Sequence, residues 1–389
     1  MEAVCGTNGK TVVASIYRYL IGKDRHDVGL LGTINYQLGR RTLPAYRTTP
    51  EPIELQAMLS QMKEGGCTKA ILEVSSHGIH QKRVGSIPFK RSAFLNLRKE
   101  HLDYHGSVDN YLEVLKSFYH ANRESLSEVV VNGDDPASEI ITAQLKPKAK
   151  IVRFGLSEDC DFRAEDIEYN GTDTRFELIW PEGSIRVVSP LVGRFNVENV
   201  LAALALAWLD GVSMTDLVTR LFEFKGVSGR MEPIDGGQSF SVLVDYMHTE
   251  ASYERGLEML KTITPGRLIT VFGCGGDRDS AVRPKITGTV QALSDFAVAT
   301  ADNPRRELID DIFNDMRTGQ DPNRQNLIFL KDRKQAIATA LRFAKPGDTV
   351  LIAGKGHETF QDYGDCVVPF DDRSTAIEIL KELSEAANS

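Results

Sequence analysis

The sequence has no apolar run approaching the roughly 20 residues that a membrane span needs, and its first residues lack the charged-then-apolar pattern of an export signal. It also lacks paired cysteines. Cys5, Cys67, Cys160, Cys274 and Cys366 are odd in number and far apart, with no CxxC or Cys/His ligand spacing. A disulfide framework is excluded, and a reducing, cytoplasmic setting without membrane insertion is expected. Positive charge is not in excess: 46 Lys and Arg stand against 54 Asp and Glu, a formal net charge of −8. A general nucleic-acid or anionic-membrane surface is therefore not expected, and any phosphate site must be local. Repeats and low-complexity tracts are absent. What is present is an ordinary globular composition, 41% hydrophobic and 26% charged over 389 residues, enough for two or three domains.

Short apolar or β-branched runs alternate with helical patterns, the sign of a parallel sheet covered by helices. In the first half, strands are expected at 70–74, 93–97 and 129–131, with helices at 54–63 and 111–122. Between 162 and 192 the pattern changes to alternating strands, with turn signals at Asn170-Gly171 and Pro181-Glu182-Gly183, so a small antiparallel insertion is expected. An apolar helix at 197–208 closes this part, and Lys225-Gly226-Val227-Ser228-Gly229 reads as a linker. A second alternating series follows, with strands at 241–244, 268–272, 296–299, 327–330 and 349–353. Helices are expected at 253–260, 285–293, 308–316, 333–343 and 376–383. The expected architecture is α/β: a P-loop-type ATPase domain over 1–228 and a Rossmann-like domain over 229–389.

The strongest local signal is Gly6-Thr7-Asn8-Gly9-Lys10-Thr11, directly before an amphipathic segment at 12–20. Glycines let backbone amides approach phosphate oxygens, a helix N-terminus favours negative charge, Lys10 supplies a cation and the Thr11 hydroxyl can bind magnesium. ATP and Mg2+ are expected there. The general P-loop begins with a glycine where this chain has Val4, so the loop is a variant.

The wording of this loop resembles that of the Mur ligases and their folylpolyglutamate synthetase relatives. Further motifs occur in the order found in Mur ligases: Thr48-Thr49-Pro50, Glu73-Val74-Ser75-Ser76-His77-Gly78, Asn96-Leu97 before His101-Leu102-Asp103-Tyr104-His105, and Asn132-Gly133-Asp134-Asp135. Phe195-Asn196-Val197-Glu198-Asn199, Gly229-Arg230-Met231-Glu232, Asp245-Tyr246-Met247-His248-Thr249, Phe272-Gly273-Cys274-Gly275-Gly276-Asp277-Arg278-Asp279, Asp302-Asn303-Pro304-Arg305 and Gly354-Lys355-Gly356-His357-Glu358 continue the series. The resemblance spans essentially the whole chain and is strongest to the members that add the third residue of the cell-wall peptide.

That resemblance implies an ATP-dependent acid–amino-acid ligase. ATP phosphorylates a D-glutamyl carboxylate, an amine attacks the acyl phosphate and phosphate leaves, chemistry that needs cations and oriented donors more than a nucleophilic side chain. It implies that Lys10 holds phosphates, that Thr11 and Glu73 share one magnesium, and that His101 helps bind a second. Asn196 and Asn199 would contact adenine, although asparagines at a helix start more commonly cap it. Arg230 would reach the ATP phosphates and Asp245 the ribose. Thr48, Thr49, Ser75, Gln81 and Arg83 match positions that hold the muramoyl-peptide substrate. The family carries a carbamylated lysine in a Tyr-x-x-x-Lys spacing; here Lys116 follows Tyr111 one residue later, which rotates a helical side chain by roughly 100°.

Within the family, Asp302-Asn303-Pro304-Arg305 marks enzymes that add meso-diaminopimelate, whose distal carboxylate Arg305 would pair. Arg278, Asp302, Asn303, Pro304, Gly354 and Glu358 would complete that pocket; taken alone, Asp302-Asn303-Pro304-Arg305 reads as a turn after a strand. The expected partners are UDP-muramoyl-dipeptide and meso-diaminopimelate, with the protein a monomer. Departures from the family pattern lie at Ser280-Ala281-Val282, where two lysines are absent, and at Met247 and Glu250. Family members also carry an N-terminal uridine-binding domain, which this chain, beginning just before the phosphate loop, is expected to lack. A ligase acting on an acidic peptide without UDP, and a non-catalytic nucleotide-binding module, are the alternative readings.

Overall fold

The alternating pattern forms two separate α/β units in the computed structural model, which describes residues 1–22, 26–169 and 173–387. One unit is Met1–Lys225 and the other Gly226–Ser389. The turn expected at Asn170-Gly171 lies outside the described residues. Among the described residues no helix is long and apolar enough to cross a membrane.

The first unit is built on β1 (Glu2–Cys5), β2 (Val28–Leu31), β3 (Asn35–Leu38), β4 (Arg41–Pro44), β5 (Lys69–Val74), β6 (Arg91–Phe94), β7 (Glu128–Asn132), β8 (Lys150–Gly155), β9 (Phe162–Tyr169), β10 (Thr174–Trp180) and β11 (Gly183–Ser189). They form one sheet in the order β11-β10-β9-β8-β7-β6-β1-β5-β2-β3-β4. Strands from β2 across to β9 pair in parallel, as buried runs such as Val129, Val130 and Val131 demand. The expected antiparallel insertion is instead the far edge of this sheet, because β9 pairs in parallel with β8 before β10 and β11 reverse. A second antiparallel edge, β2-β3-β4, was not expected.

Helices α1 (Lys10–Ile21), α2 (Pro52–Glu64), α3 (Ser76–His80), α4 (Leu102–His105), α5 (Val108–Asn122), α6 (Ala137–Thr142), α7 (Arg194–Trp208) and α8 (Met214–Phe222) accompany this sheet. The Ala- and Leu-rich run from Val200 to Ala207 is buried all round, so α7 is an interior helix and packs on α1. The strand expected at 93–97 stops at Phe94. Beyond it the Asn96 carbonyl accepts from Thr7 N, so the phosphate loop takes over the backbone group that a longer ladder would use.

The second unit carries β12 (Glu232–Pro233), β13 (Ser241–Asp245), β14 (Leu268–Cys274), β15 (Phe296–Ala301), β16 (Leu327–Phe329) and β17 (Thr349–Ala353) in the order β12-β13-β17-β14-β15-β16. A hairpin, β18 (Phe360–Asp362) with β19 (Val367–Pro369), follows. Helices α9 (Glu250–Ile263), α10 (Val282–Leu293), α11 (Ile309–Arg317), α12 (Arg333–Phe343) and α13 (Asp372–Ala387) alternate with the strands. All strand pairs from β13 to β16 are parallel. The chain runs outward from β14 to β15 and β16, then returns to β17 on the other side of β14. That reversal opens a crevice at the carboxyl ends of β14 and β17, where open α/β sheets bind ligands.

Candidate active site

In the first unit the expected phosphate loop joins the end of β1 to α1. Thr7 N donates to Asn96 O at 2.9 Å, Asn8 N to Asn96 Oδ1 at 3.0 Å, and Asn96 Nδ2 returns to Asn8 O at 3.1 Å. One asparagine thus frames the turn. Gly9 precedes the helix at φ 88°, and a Cβ there would stand 2.2 Å from Asn199 Oδ1, so only glycine fits. The Lys10 ammonium folds over the loop and donates to the carbonyls of Gly6 and Thr7, each at 2.8 Å. A helix N-terminus, a close-packed glycine turn and a cation therefore meet at one point, the arrangement that receives an anion.

Beside it, Thr11 Oγ1 donates to Glu73 Oε2 at 2.8 Å, and Glu73 is only 1% exposed. Thr33 supplies two further donors to this carboxylate, its N–H to Oε1 at 3.0 Å and its hydroxyl to Oε2 at 2.9 Å. A hydroxyl and a carboxylate at the loop are the donors a hard cation takes. Among the described residues no three His, Cys, Asp or Glu side chains converge as a metal cage. Magnesium fits such a site, since it binds through one or two carboxylates and completes its shell with phosphate and water. His101 begins α4 with a left-handed backbone, φ 58°. Burial, and then the nearby Lys10 ammonium, push its imidazole below the usual histidine value, favouring the neutral form that binds metals. Its ring lies 5.2 Å from that of His77, whose imidazole is lowered by burial and then by His101.

The residues expected to hold the muramoyl peptide are also joined. Thr48 and Thr33 hydroxyls are 3.1 Å apart, and Thr49 Oγ1 bonds both Glu73 O at 2.8 Å and Ser75 Oγ at 3.0 Å. Buried Arg83 donates to Thr49 O at 2.9 Å, pairs with Glu51 at 3.3 Å and bonds Gln81. Asn196 does not cap α7: Gly193 is the cap residue, and Asn196 Nδ2 donates back to Val192 O at 2.9 Å. Asn199 donates to Asn196 Oδ1 at 3.1 Å and abuts Gly9, which ties α7 to the phosphate loop. Lys116 stands apart, its ammonium 2.6 Å from Glu113 Oε1 one turn back on α5.

In the second unit, Gly229 has φ 64°, and a Cβ there would fall 2.1 Å from His357 N. That close approach seats Arg230 over the Tyr246 ring at 4.8 Å, with its Nε buried and without a hydrogen-bond partner. Asp245 is buried and accepts from Met231 N at 2.7 Å. Burial raises its carboxyl to about 6, against the lowering effect of Arg230 and two backbone N–H groups. His357 packs 4.9 Å from Tyr246, and burial, reinforced by Arg230, Arg373 and Lys355, lowers its imidazole to about 4.

Asp302, Asn303, Pro304 and Arg305 follow β15, and Gly354 through Glu358 follow β17. Asn303 Nδ2 donates to Glu358 Oε2 at 2.8 Å, and a Cβ on Gly354 would stand 2.5 Å from Asp302 Oδ2. Arg305 adopts φ 52° and donates to Gly276 O at 2.6 Å. Arg278 is exposed on the loop after β14. The altered Ser280-Ala281-Val282 segment leads into α10. There buried Arg283 binds Glu307 and Asp315, each at 2.8 Å, and the Gly275 carbonyl at 3.1 Å.

Sequence reasoning missed Thr33, the framing role of Asn96 and the Lys355 contacts. The visible signal was position: each lies within two residues of a strand's carboxyl end.

Residues 4–207 match the Mur ligase middle domain, and residues 229–356 the Mur ligase, glutamate ligase domain. The chain is 40% identical over 381 residues to the UDP-N-acetylmuramoyl-L-alanyl-D-glutamate--2,6-diaminopimelate ligase of Thermosynechococcus vestitus, covering 97% of this chain and 76% of that protein. It is 39% identical over 386 residues to the protein of the same name from Geobacillus thermodenitrificans, covering 97% and 78%. A solved structure of a UDP-N-acetylmuramoyl-L-alanyl-D-glutamate--2,6-diaminopimelate ligase aligns with a TM-score of 0.72 at 33% identity, over 99% of this chain and 78% of that one.

Proposed function

The chain belongs to the Mur ligase family, and on that premise we propose that it adds meso-diaminopimelate to UDP-N-acetylmuramoyl-L-Ala-D-Glu with ATP, in peptidoglycan precursor synthesis. The observation that carries the reading is the set Lys10, Thr11, Glu73 and His101 gathered at one phosphate loop. It is joined by the Asn303–Glu358 pair beside Arg305 in the second unit. The first unit carries the phosphate loop and the muramoyl-peptide residues, and the second carries the amino-acid pocket together with Arg230 and Asp245.

Phosphoryl transfer to the D-glutamyl carboxylate releases ADP. Attack by the amine then forms the amide and expels phosphate, with a proton lost from nitrogen. Negative charge is moved or created at each step, so Lys10 and Arg230 act by placing fixed cations on phosphate oxygens. Gly6, Thr7, Asn8 and Gly9 bring backbone amides to the phosphates, Asn196 and Asn199 face adenine, and Asp245 receives the ribose. Thr11 and Glu73 would hold one magnesium, with His101 and a carbamylated Lys116 on a second; magnesium bound there neutralises phosphate charge. Thr48, Thr49, Ser75, Gln81 and Arg83 hold the muramoyl dipeptide. Arg305 pairs the distal carboxylate of diaminopimelate, and Arg278, Asp302, Asn303, Pro304, Gly354 and Glu358 complete its pocket. The protein acts as a cytoplasmic monomer.

The test is phosphate release from ATP with UDP-muramoyl-dipeptide and a panel of amines. Release that requires the dipeptide and prefers meso-diaminopimelate over lysine supports the assignment. Turnover with simple glutamyl acceptors but not with the UDP substrate refutes it, as does ATP binding without acceptor-dependent hydrolysis.

A further inference from the structure

Lys355 has no exposure at all, an unusual position for an ammonium group. It follows β17 at the crevice of the second sheet, and its Nζ makes two bonds there. One goes to Asn303 Oδ1 and the other to Glu358 Oε2, each 2.9 Å. Asn303 Oδ1 also accepts from Asp362 N at 3.0 Å, so the carboxamide is fixed with its oxygen toward the lysine. Its Nδ2 must then face Glu358, where it donates to the same Oε2 at 2.8 Å. Two donors therefore converge on one oxygen of Glu358, and neither bond falls on Oε1. The Glu358 side chain is 20% exposed, whereas Lys355 lies wholly behind it.

We propose that Lys355 is a positioning residue for the amino-acid substrate: with Asn303 it holds Oε2 of Glu358 and presents Oε1 to an ammonium group of the incoming diamino acid. This rests on the ligase reading above and deepens it by giving the buried lysine a task. Desolvating an ammonium makes a buried ion pair a poor source of stability, whereas orientation of a partner is a use that repays it. A carboxylate whose rotamer is fixed before binding loses less freedom when the ligand arrives.

The test is a two-residue cycle on the full chain, with KM measured separately for ATP, the muramoyl acceptor and the amine. Lys355→Met should raise the amine KM by at least about thirtyfold, the lower end for truncating one partner of a buried charge pair. The KM values for ATP and acceptor should stay within about twofold, since remote sites vary independently. In a Glu358→Gln background, adding Lys355→Met should change the amine KM by less than about threefold, because the carboxylate it orients is already gone. An unchanged amine KM in Lys355→Met overturns the proposal, as do losses that multiply in the double variant. If Lys355→Met alone does not fold, the uncharged double variant is compared with Glu358→Gln by the same criterion. The amine used is whichever the wild-type protein turns over. A different preferred amine therefore corrects the diaminopimelate assignment, while the cycle still decides the role of Lys355.

Discussion

Replacing His357 with glutamine should change the way the second unit responds to acid. The wild-type imidazole is held at about 4, first by burial and then by the Arg230, Arg373 and Lys355 cations, against an ordinary value of 6.5. The unfolded chain therefore takes up this proton more readily. The stability contributed is present above 6.5 and lost as pH falls toward 4, and at about 1.4 kcal/mol per pH unit it amounts to about 3 kcal/mol. Asp245 has the opposite sign. Burial raises its carboxyl from 3.8 to about 6, so its contribution is present below 3.8 and lost as pH rises through 6, again by about 3 kcal/mol. The two slopes oppose one another between pH 4 and 6. Relative to wild type, His357→Gln should gain stability as pH falls through this range, and Asp245→Asn should lose it.

Differences from wild type at each pH remove the common contribution of all other carboxylates. Trp180 and Trp208 both lie in the first unit, so tryptophan fluorescence does not report on this one. Native-state hydrogen exchange of the β13 and β17 amides is the suitable assay, because these buried strands open only with the unit's core. Parallel pH curves for wild type and both variants would refute the burial argument at both residues, and variants deviating in the same direction would refute it at the one whose sign is wrong.

Lys10→Ala should abolish acceptor-dependent ATP hydrolysis while circular dichroism stays native, since the ammonium lies over the loop on the carbonyls of Gly6 and Thr7 and balances phosphate charge in the reaction. Arg305→Ala should cost roughly 2–5 kcal/mol in kcat/KM for meso-diaminopimelate and much less for lysine; equal losses for both amines would remove the distal-carboxylate role. Lys116→Ala should lower turnover without rescue by bicarbonate, because a carbamate needs the lysine nitrogen, and full activity would strike Lys116 from the metal site.

The legible parts of the fold are those whose signals are local. Each long strand of the second unit announces itself as a β-branched run, and the phosphate loop as glycines before a helix. The first unit's β3 and β4 escaped notice because they are four residues each, although Asn35–Leu38 does alternate outward and inward before Gly39 at φ 74°. The partner of Thr33 could not be read. The two bonds from Thr33 to Glu73 cross 40 positions of sequence, and only the parallel contact of β2 with β5 brings the two strand ends together. Asn196 misled for a related reason: an asparagine at a helix start has a strong capping preference, but Gly193 caps α7 three positions earlier than expected and leaves Asn196 inside its first turn.

Helix α5 shows where motif spacing and side-chain geometry part company. Tyr111, Leu115, Phe118 and Tyr119 form its buried face, and Tyr111 anchors that face to the phosphate loop through a 3.1 Å bond from Thr7 Oγ1. The position four residues after Tyr111 is thus filled by Leu115, part of the core. Lys116, one step further, is rotated by roughly 100° to the flank, where Glu113 takes its ammonium. Carbamylation would change this pair from attraction to repulsion, since both side chains would then be anions. The modification would itself release Lys116 from Glu113, leaving its long, unbranched stem to reach around the helix toward any cation near His101. The one-residue offset therefore sets how far a carbamylated Lys116 would have to travel, and Glu113 is the partner of the unmodified side chain.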